Sequence, residues 1–452
     1  MLSRFHPDIV VLPALFLFAS GIACADDFND GFNAYARGDY ETAYARWIPL
    51  AEDGDVSAMY NVALMYDQGL GVGQDKVKAV KWYLIPAEKG DISAQFNLAT
   101  IYDYGDGVSE DNEQAIRWYT AAARQADEQA QFNLGVMYGS GEGVDVDYER
   151  AVYWYRLSAD LGHVAAQYNL GYMYDVGRGV PEDKELAFAW YQRAAGQDDY
   201  DAQYAIALMY DEGDGVPIDE SLAMEWYELA ANQGHLKAQF NLAIMYDMGE
   251  GMPEDNLAAI EWYTAAANQG HLGAQVNLGI MFENGEGVVI DLVEAIKWYR
   301  LAAYQGSAEA QYAVALLLDS GQGIAEDNVA AVSWYKLAAE QGDPDAQNNL
   351  GAMFDAGEGV PENDVMALHW YTLAANNGNA IAQNNLGALY LAGDGAREDK
   401  VQAYKWFLIA EELGNEIGRK NRVASADSMA ATDIAEANKQ AQEWLAEFEN
   451  SR

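Results

Sequence analysis

Residues 235–270 read HLKAQFNLAIMYDMGEGMPEDNLAAIEWYTAAANQG. Ala238, Leu242, Met245 and Tyr246 recur at three- and four-residue steps, so they form one apolar stripe on a first helix, helix A. Gly249 stands where a left-handed turn would end that helix, and Asp255 stands ahead of the next apolar run as an N-cap. Ala259, Trp262, Tyr263 and Ala266 then mark a second helix, helix B, which stops at Gly270.

The same pattern runs along the chain with a period of 36 residues: Trp82, Trp118, Trp154, Trp190, Trp226, Trp262, Trp298, Trp334, Trp370 and Trp406 all lie on it. An Ala precedes each Trp by three residues, from Ala79 to Ala403. The helix-ending glycine recurs from Gly69 to Gly393, with a second glycine two residues later, from Gly71 to Gly395. The N-cap recurs from Asp75 to Asp399, with Asn363 as a substitute. A helix pair of this kind has more apolar face than it can bury alone, so neighbouring pairs must stack. The expectation is an all-α fold, an α/α solenoid of about ten 36-residue helix-pair repeats with N- and C-terminal caps. The Trp ladder is expected to be fully buried filler between layers.

The strings Ala238-Gln239-Phe240-Asn241-Leu242-Ala243, Met245-Tyr246, Gly249-Glu250-Gly251, Trp262-Tyr263, Ala266-Ala267 and Gly270 resemble the Sel-one-like repeat (SLR) family, a relative of tetratricopeptide repeats with a longer loop between its helices. The resemblance covers residues 55–414 as ten units. It implies a right-handed superhelix with the A helices lining a concave face, and scaffold or adaptor roles in bacterial envelope assembly, exopolysaccharide control or host contact. Residues 26–54 keep Ala43 and Trp47 without the long loop and read as a tetratricopeptide-like N-terminal capping half-repeat or an eleventh unit. Residues 415–452 read as a polar, partly looped linker over Glu416 to Ser428, followed by a capping helix with Trp444 and Leu445 turned inward. Pro86, near the end of the first helix B, is expected to kink it.

Residues 1–25 read as a signal peptide: Arg4, an apolar run from Ile9 to Ile22, then the cleavage pattern Ala23-Cys24-Ala25. The run is shorter than the roughly 20 residues of a spanning helix. The expected location is periplasmic or secreted. Lipoprotein anchoring at Cys24 is the weaker alternative, because Gly21-Ile22-Ala23 departs from a leucine-led lipobox. Cleavage after Ala25 removes the only cysteine, leaving a mature chain without disulfides, a thiol nucleophile or a membrane span.

Lys and Arg total 26 against 71 Asp and Glu, and the net charge of -45 argues against nucleic acid and anionic lipid and for basic partners. A purely solubilising role for that charge is the other reading. No catalytic constellation, cofactor motif or metal set is recognisable. His163, His235 and His271 share one position at the start of helix A and read as turn residues, and the Gly-x-Gly elements follow helices, not strands.

On helix A, positions equivalent to 240, 244 and 247 are expected on one stripe away from the core. The first carries Phe96, Phe132, Tyr168, Tyr204, Phe240 and Tyr312; the third carries Asp103, Asp175, Asp211, Asp247, Glu283, Asp319 and Asp355. Beside them runs an asparagine row that includes Asn133, Asn169, Asn241 and Asn277. Aromatic area next to carboxylates suits a Lys- or Arg-bearing protein segment, and it suits a glycan as the alternative. The opposing reading is that the aromatics pack neighbouring helices and the asparagines bond across repeats.

Overall fold

The computed structural model describes residues 22–450, with side-chain surroundings from residue 26 onward, so the leader call on 1–25 falls almost wholly outside the described residues. These residues form 24 helices and no strand. They divide into two compact units, the first ending at Gln233 and the second beginning at Gly234. The first unit holds α1 (Ile22–Ala36), α2 (Tyr40–Glu52) and the pairs from α3 (Val56–Gln68) and α4 (Lys76–Glu88) to α11 (Tyr200–Glu212) and α12 (Glu220–Asn232). The second runs from α13 (Leu236–Met248) and α14 (Asn256–Asn268) to α23 (Glu416–Ala426) and α24 (Ala431–Asn450).

Local chemistry sets the helix ends. Helix B starts where an Asp side chain accepts from the N–H three residues on, as Asp75 does from Lys78 at 2.9 Å. Helix A ends on a left-handed glycine such as Gly249, φ 70°. The second glycine answers to a tertiary demand. Gly359 has φ 69°, and a Cβ there would collide with the Asn328 carbonyl at the start of the preceding repeat's helix B. Each long loop thus rests on the helix before it.

The packing buries the Trp ladder at Trp118, Trp190, Trp370 and Trp406 and corrects the expectation at the other six repeats. The ring that fills the space between helices is the next residue: Tyr83, Tyr119, Tyr155, Tyr227, Tyr263 and Tyr335 are all 0% exposed. Trp82, Trp154, Trp226, Trp262, Trp298 and Trp334 are only partly buried. One residue along a helix is a rotation of about 100°, enough to move the Trp to the flank. The Tyr lies over a small residue of helix A; a Cβ on Gly135 would stand 2.5 Å from the Tyr155 ring.

Elsewhere, Pro86 lies inside α4, which continues past it to Glu88. Residues 416–426, expected as partly loop, form α23, capped by Asn415 accepting from the Gly418 N–H at 2.8 Å. The N-terminal segment, α1 and α2, is a helix pair in which the buried Trp47 donates from Nε1 to the Phe28 carbonyl at 3.1 Å. In α24, Trp444 packs on Trp406 with ring centroids 5.7 Å apart.

Candidate functional site

Two polar systems link consecutive repeats. The first is centred on the buried tyrosine. Its hydroxyl donates to the acidic residue at the end of its own repeat's helix A: Tyr119 to Asp103 at 3.3 Å, Tyr191 to Asp175 at 3.3 Å, Tyr227 to Asp211 at 2.9 Å. In the second unit Tyr263 donates to Asp247 at 3.1 Å, Tyr299 to Glu283 at 2.6 Å and Tyr335 to Asp319 at 3.2 Å. Tyr371 bonds Asp355 likewise. The same hydroxyl accepts from the asparagine of the following repeat, as Tyr83 does from Asn97 at 3.2 Å and Tyr335 from Asn349 at 3.1 Å. Asn133, Asn169 and Asn277 face Tyr119, Tyr155 and Tyr263. Asn241 holds that register at the start of the second unit.

The aromatic row packs on the same tyrosines. Ring centroids of Phe96, Phe132, Tyr168, Tyr204, Phe240 and Tyr312 lie 5.6 to 5.9 Å from Tyr119, Tyr155, Tyr191, Tyr227, Tyr263 and Tyr335. Phe96, Phe132 and Asp103 are buried, so the expected outward stripe is, in large part, the outer rim of the core. The cause is the tyrosine: a buried hydroxyl needs an acceptor, and the acidic residue supplies it.

The second system is a glutamine ladder that sequence reasoning missed. The buried Gln275 donates from Nε2 to the Ala267 carbonyl at 3.1 Å and accepts from Gln305 Nε2 at 2.7 Å. Gln311 does the same with Ala303 and Gln341 at 3.1 and 2.8 Å. A polar residue in fixed register beside a buried Ala was the available signal.

Against this regular frame, one cavity in the first unit stands out. It has a volume of about 490 Å³ and is lined from α5 (Ile92–Tyr104), α7 (Glu128–Ser140) and the start of α9 (Val164–Asp175), with Gln197 and Asp199 beside them. Of the residues expected in a groove it brings together Asp103, Phe132 and Asn133; the others stand in their own repeats. Its carboxylates are Asp103, Glu128 and Asp199, and neither Lys nor Arg lines it. His163 is not a counter-charge. It caps α9, with Nδ1 accepting from the Ala166 N–H at 3.2 Å, and its ring stacks on Phe132 at 4.6 Å. Burial pushes it down to about 4, leaving it neutral. Elsewhere in this unit internal lysines neutralise the acidic row: Lys76 pairs with Asp67 at 2.7 Å, and Lys184 with Asp175 at 2.9 Å. At the register of those lysines the repeat contributing Asp103 carries Asn112. No group of His, Cys, Asp and Glu among the described residues is arranged to hold a metal ion.

The Sel1 repeat pattern matches ten consecutive segments, 56–91, 92–127, 128–163, 164–199, 201–235, 236–271, 273–307, 308–343, 344–379 and 380–415. Among solved structures, the chain is similar to a protective antigen present in uropathogenic Escherichia coli strains that displays an SLR fold. The identity is 32%, covering 90% of this chain and 95% of that one, with a TM-score of 0.64. It is also similar to a Sel1 repeat protein from Oxalobacter formigenes, at 33% identity over 68% of this chain and 90% of that one, with a TM-score of 0.55. Comparison with curated proteins found no match.

Proposed function

The chain belongs to the Sel1 repeat family, and from that premise we propose that it is a non-enzymatic protein-binding scaffold of the bacterial cell envelope that receives basic segments of its partners. The observation that carries this reading is the cavity of the first unit, whose wall sets the carboxylates of Asp103, Glu128 and Asp199 beside the rings of Tyr104 and Phe132. Carboxylates beside aromatic surface suit an incoming guanidinium or ammonium group, which gains charge-assisted hydrogen bonds and ring contact together. The exported location expected from the leader, periplasmic or secreted, completes the proposal. The similar antigen of uropathogenic strains is consistent with a role in contact beyond the cell.

The test is titration of a labelled oligolysine peptide into the full chain and into the double variant Glu128→Gln/Asp199→Asn. Asn at 199 keeps the cap that Asp199 gives to Ala202. Loss of about tenfold in affinity is expected, against little change for the remote control Glu340→Gln/Glu412→Gln. Equal losses in both would reduce the effect to general charge and overturn the site. A neutral polysaccharide is titrated in parallel, since the Tyr104 ring is 43% exposed on the cavity wall. Salt-independent polysaccharide binding lost on Tyr104→Ala would replace the basic-segment reading with a glycan one.

A further inference from the structure

The repeats of one chain serve as each other's controls, and one edge of the second unit departs from the rest. At the second residue of helix B, the first unit carries Glu113, Glu149 and Glu185, with Val77 and Ser221 as exceptions. The second unit carries Leu257, Val293, Val329 and Val365, exposed by 61, 54, 66 and 63%, and the partly buried Val401. These are the first turns of α14 (Asn256–Asn268), α16 (Leu292–Tyr304), α18 (Asn328–Glu340) and α20 (Asp364–Asn376). The loop before α16 is also apolar. Its Val289 and Ile290 are 88 and 60% exposed, whereas the other loops of this unit place Glu254, Glu326, Glu362 and Glu398 at the register of Ile290.

The side chains form one continuous ridge because each loop rests on the helix B before it. A Cβ on Gly287 would meet Asn256 at 2.5 Å, and those on Gly323 and Gly359 would meet Leu292 and Asn328. The loop bearing Val289 and Ile290 therefore lies between Leu257 and Val293. Along the ridge run carboxylates: Asp255, Asp291 and Asp327 cap the same helices two residues before each apolar side chain. Glu254, Glu326 and Glu362 stand in the flanking loops, and the nearby Lys297 is taken by Glu294. Exposed apolar area of this extent, gathered in consecutive repeats, marks an interaction surface. The acidic border and the net charge of -45 disfavour both a second copy and an anionic lipid surface, and match a partner that is apolar and basic.

We propose that the ridge of Leu257, Val289, Ile290, Val293, Val329 and Val365 is a second docking surface, separate from the cavity of the first unit, and that it receives a basic amphipathic segment of a partner protein. The apolar side chains supply the contact area, and the carboxylates between them fix the basic residues of the segment.

The test uses the full chain and a labelled Leu/Lys amphipathic helical peptide, with a Gln/Lys peptide of equal charge as control. The variant is Ile290→Glu/Val293→Glu, which installs residues that other repeats carry at those registers; Leu257→Glu/Val329→Glu is the independent second variant, and both are checked for an unchanged melting profile. Each adds negative charge, so attraction alone predicts equal or tighter binding of both peptides. The ridge predicts about tenfold weaker binding of the Leu/Lys peptide, with the Gln/Lys peptide unaffected. Unchanged or stronger Leu/Lys binding in both variants overturns the proposal. So does wild-type self-association in sedimentation that the variants abolish, which would make the occupant a second copy. So does binding to phosphatidylglycerol vesicles that the variants abolish, which would make it a lipid surface. The Glu128→Gln/Asp199→Asn variant should bind the Leu/Lys peptide through the ridge as the wild type does, so this surface and the first-unit cavity stand or fall separately.

Discussion

Asn97 Nδ2 donates to the hydroxyl of Tyr83 at 3.2 Å, and that hydroxyl lies 3.3 Å from the Asp67 carboxylate to which it donates. Three helices from two consecutive repeats thereby share one buried oxygen. Tyr335, with Asn349 at 3.1 Å and Asp319 at 3.2 Å, repeats the arrangement in the second unit.

Removing either end of this link should destabilise the stack. Tyr335→Phe and Asn349→Ala are each expected to cost about 1–3 kcal/mol, because each strands a polar partner. In a double-mutant cycle read by urea unfolding, the two should couple by about 0.5–3 kcal/mol. Strict additivity would show that the bond contributes nothing across the repeat junction.

The glutamine ladder has a missing rung that can be supplied. Gln131 is buried, and its Oε1 has no hydrogen-bond partner, because Leu161 stands where Gln125, Gln197 and Gln269 donate in other repeats. Leu161 is itself exposed. Leu161→Gln should therefore stabilise the first unit by about 1 kcal/mol, seen as a higher urea midpoint. A lower midpoint would contradict the ladder's energetic role.

Substitution of neighbouring aromatics should separate the core ring from the flanking one. Tyr263→Ala, at a fully buried position, is expected to cost about 3–5 kcal/mol, and Trp262→Ala, only partly buried, distinctly less. Thermal unfolding of the two variants side by side checks the order. The reverse order would restore the Trp as the principal filler.

Acidification should expose the histidine cap. His163 is held neutral, at about 4 in the folded chain against 6.5 for an ordinary His, so between those values the unfolded chain binds more protons. Its contribution is complete above pH 6.5 and is lost as pH falls toward 4, by about 2 kcal/mol at pH 5. His163→Asn keeps a capping side chain, as Asn379 does for Ala382 at 2.8 Å, and should remove this part of the pH dependence. Parallel stability curves for the two proteins would rule it out.

The site was only half legible in the chain. The alignment of Phe132, Asn133 and Asp103 on helix A could be read from periodicity, and so could the possibility that the asparagines bond across repeats. What the aromatic and acidic rows touch could not be read. The tyrosine that claims them lies in another helix, 16 residues past each acidic position, as Tyr263 does past Asp247. The cavity was hidden for the same reason, since its wall is assembled from three repeats. Glu128 and Asp199 are unremarkable as sequence, and only proximity sets them beside Asp103.

Periodicity and turn chemistry by themselves determined the helix pairs of the ten repeats. The 36-residue step, the left-handed glycines and the Asp caps are local demands of the backbone, met within a few residues of where they arise. Tertiary structure alone decided which ring is core and which is flank, and which glycine is there for a turn and which for a collision with the preceding repeat. It also decided which carboxylates are spent on tyrosines. Those choices depend on what the neighbouring repeat places within a few ångströms, and a single helix's pattern of apolar and polar residues records only that a face is buried, not against what.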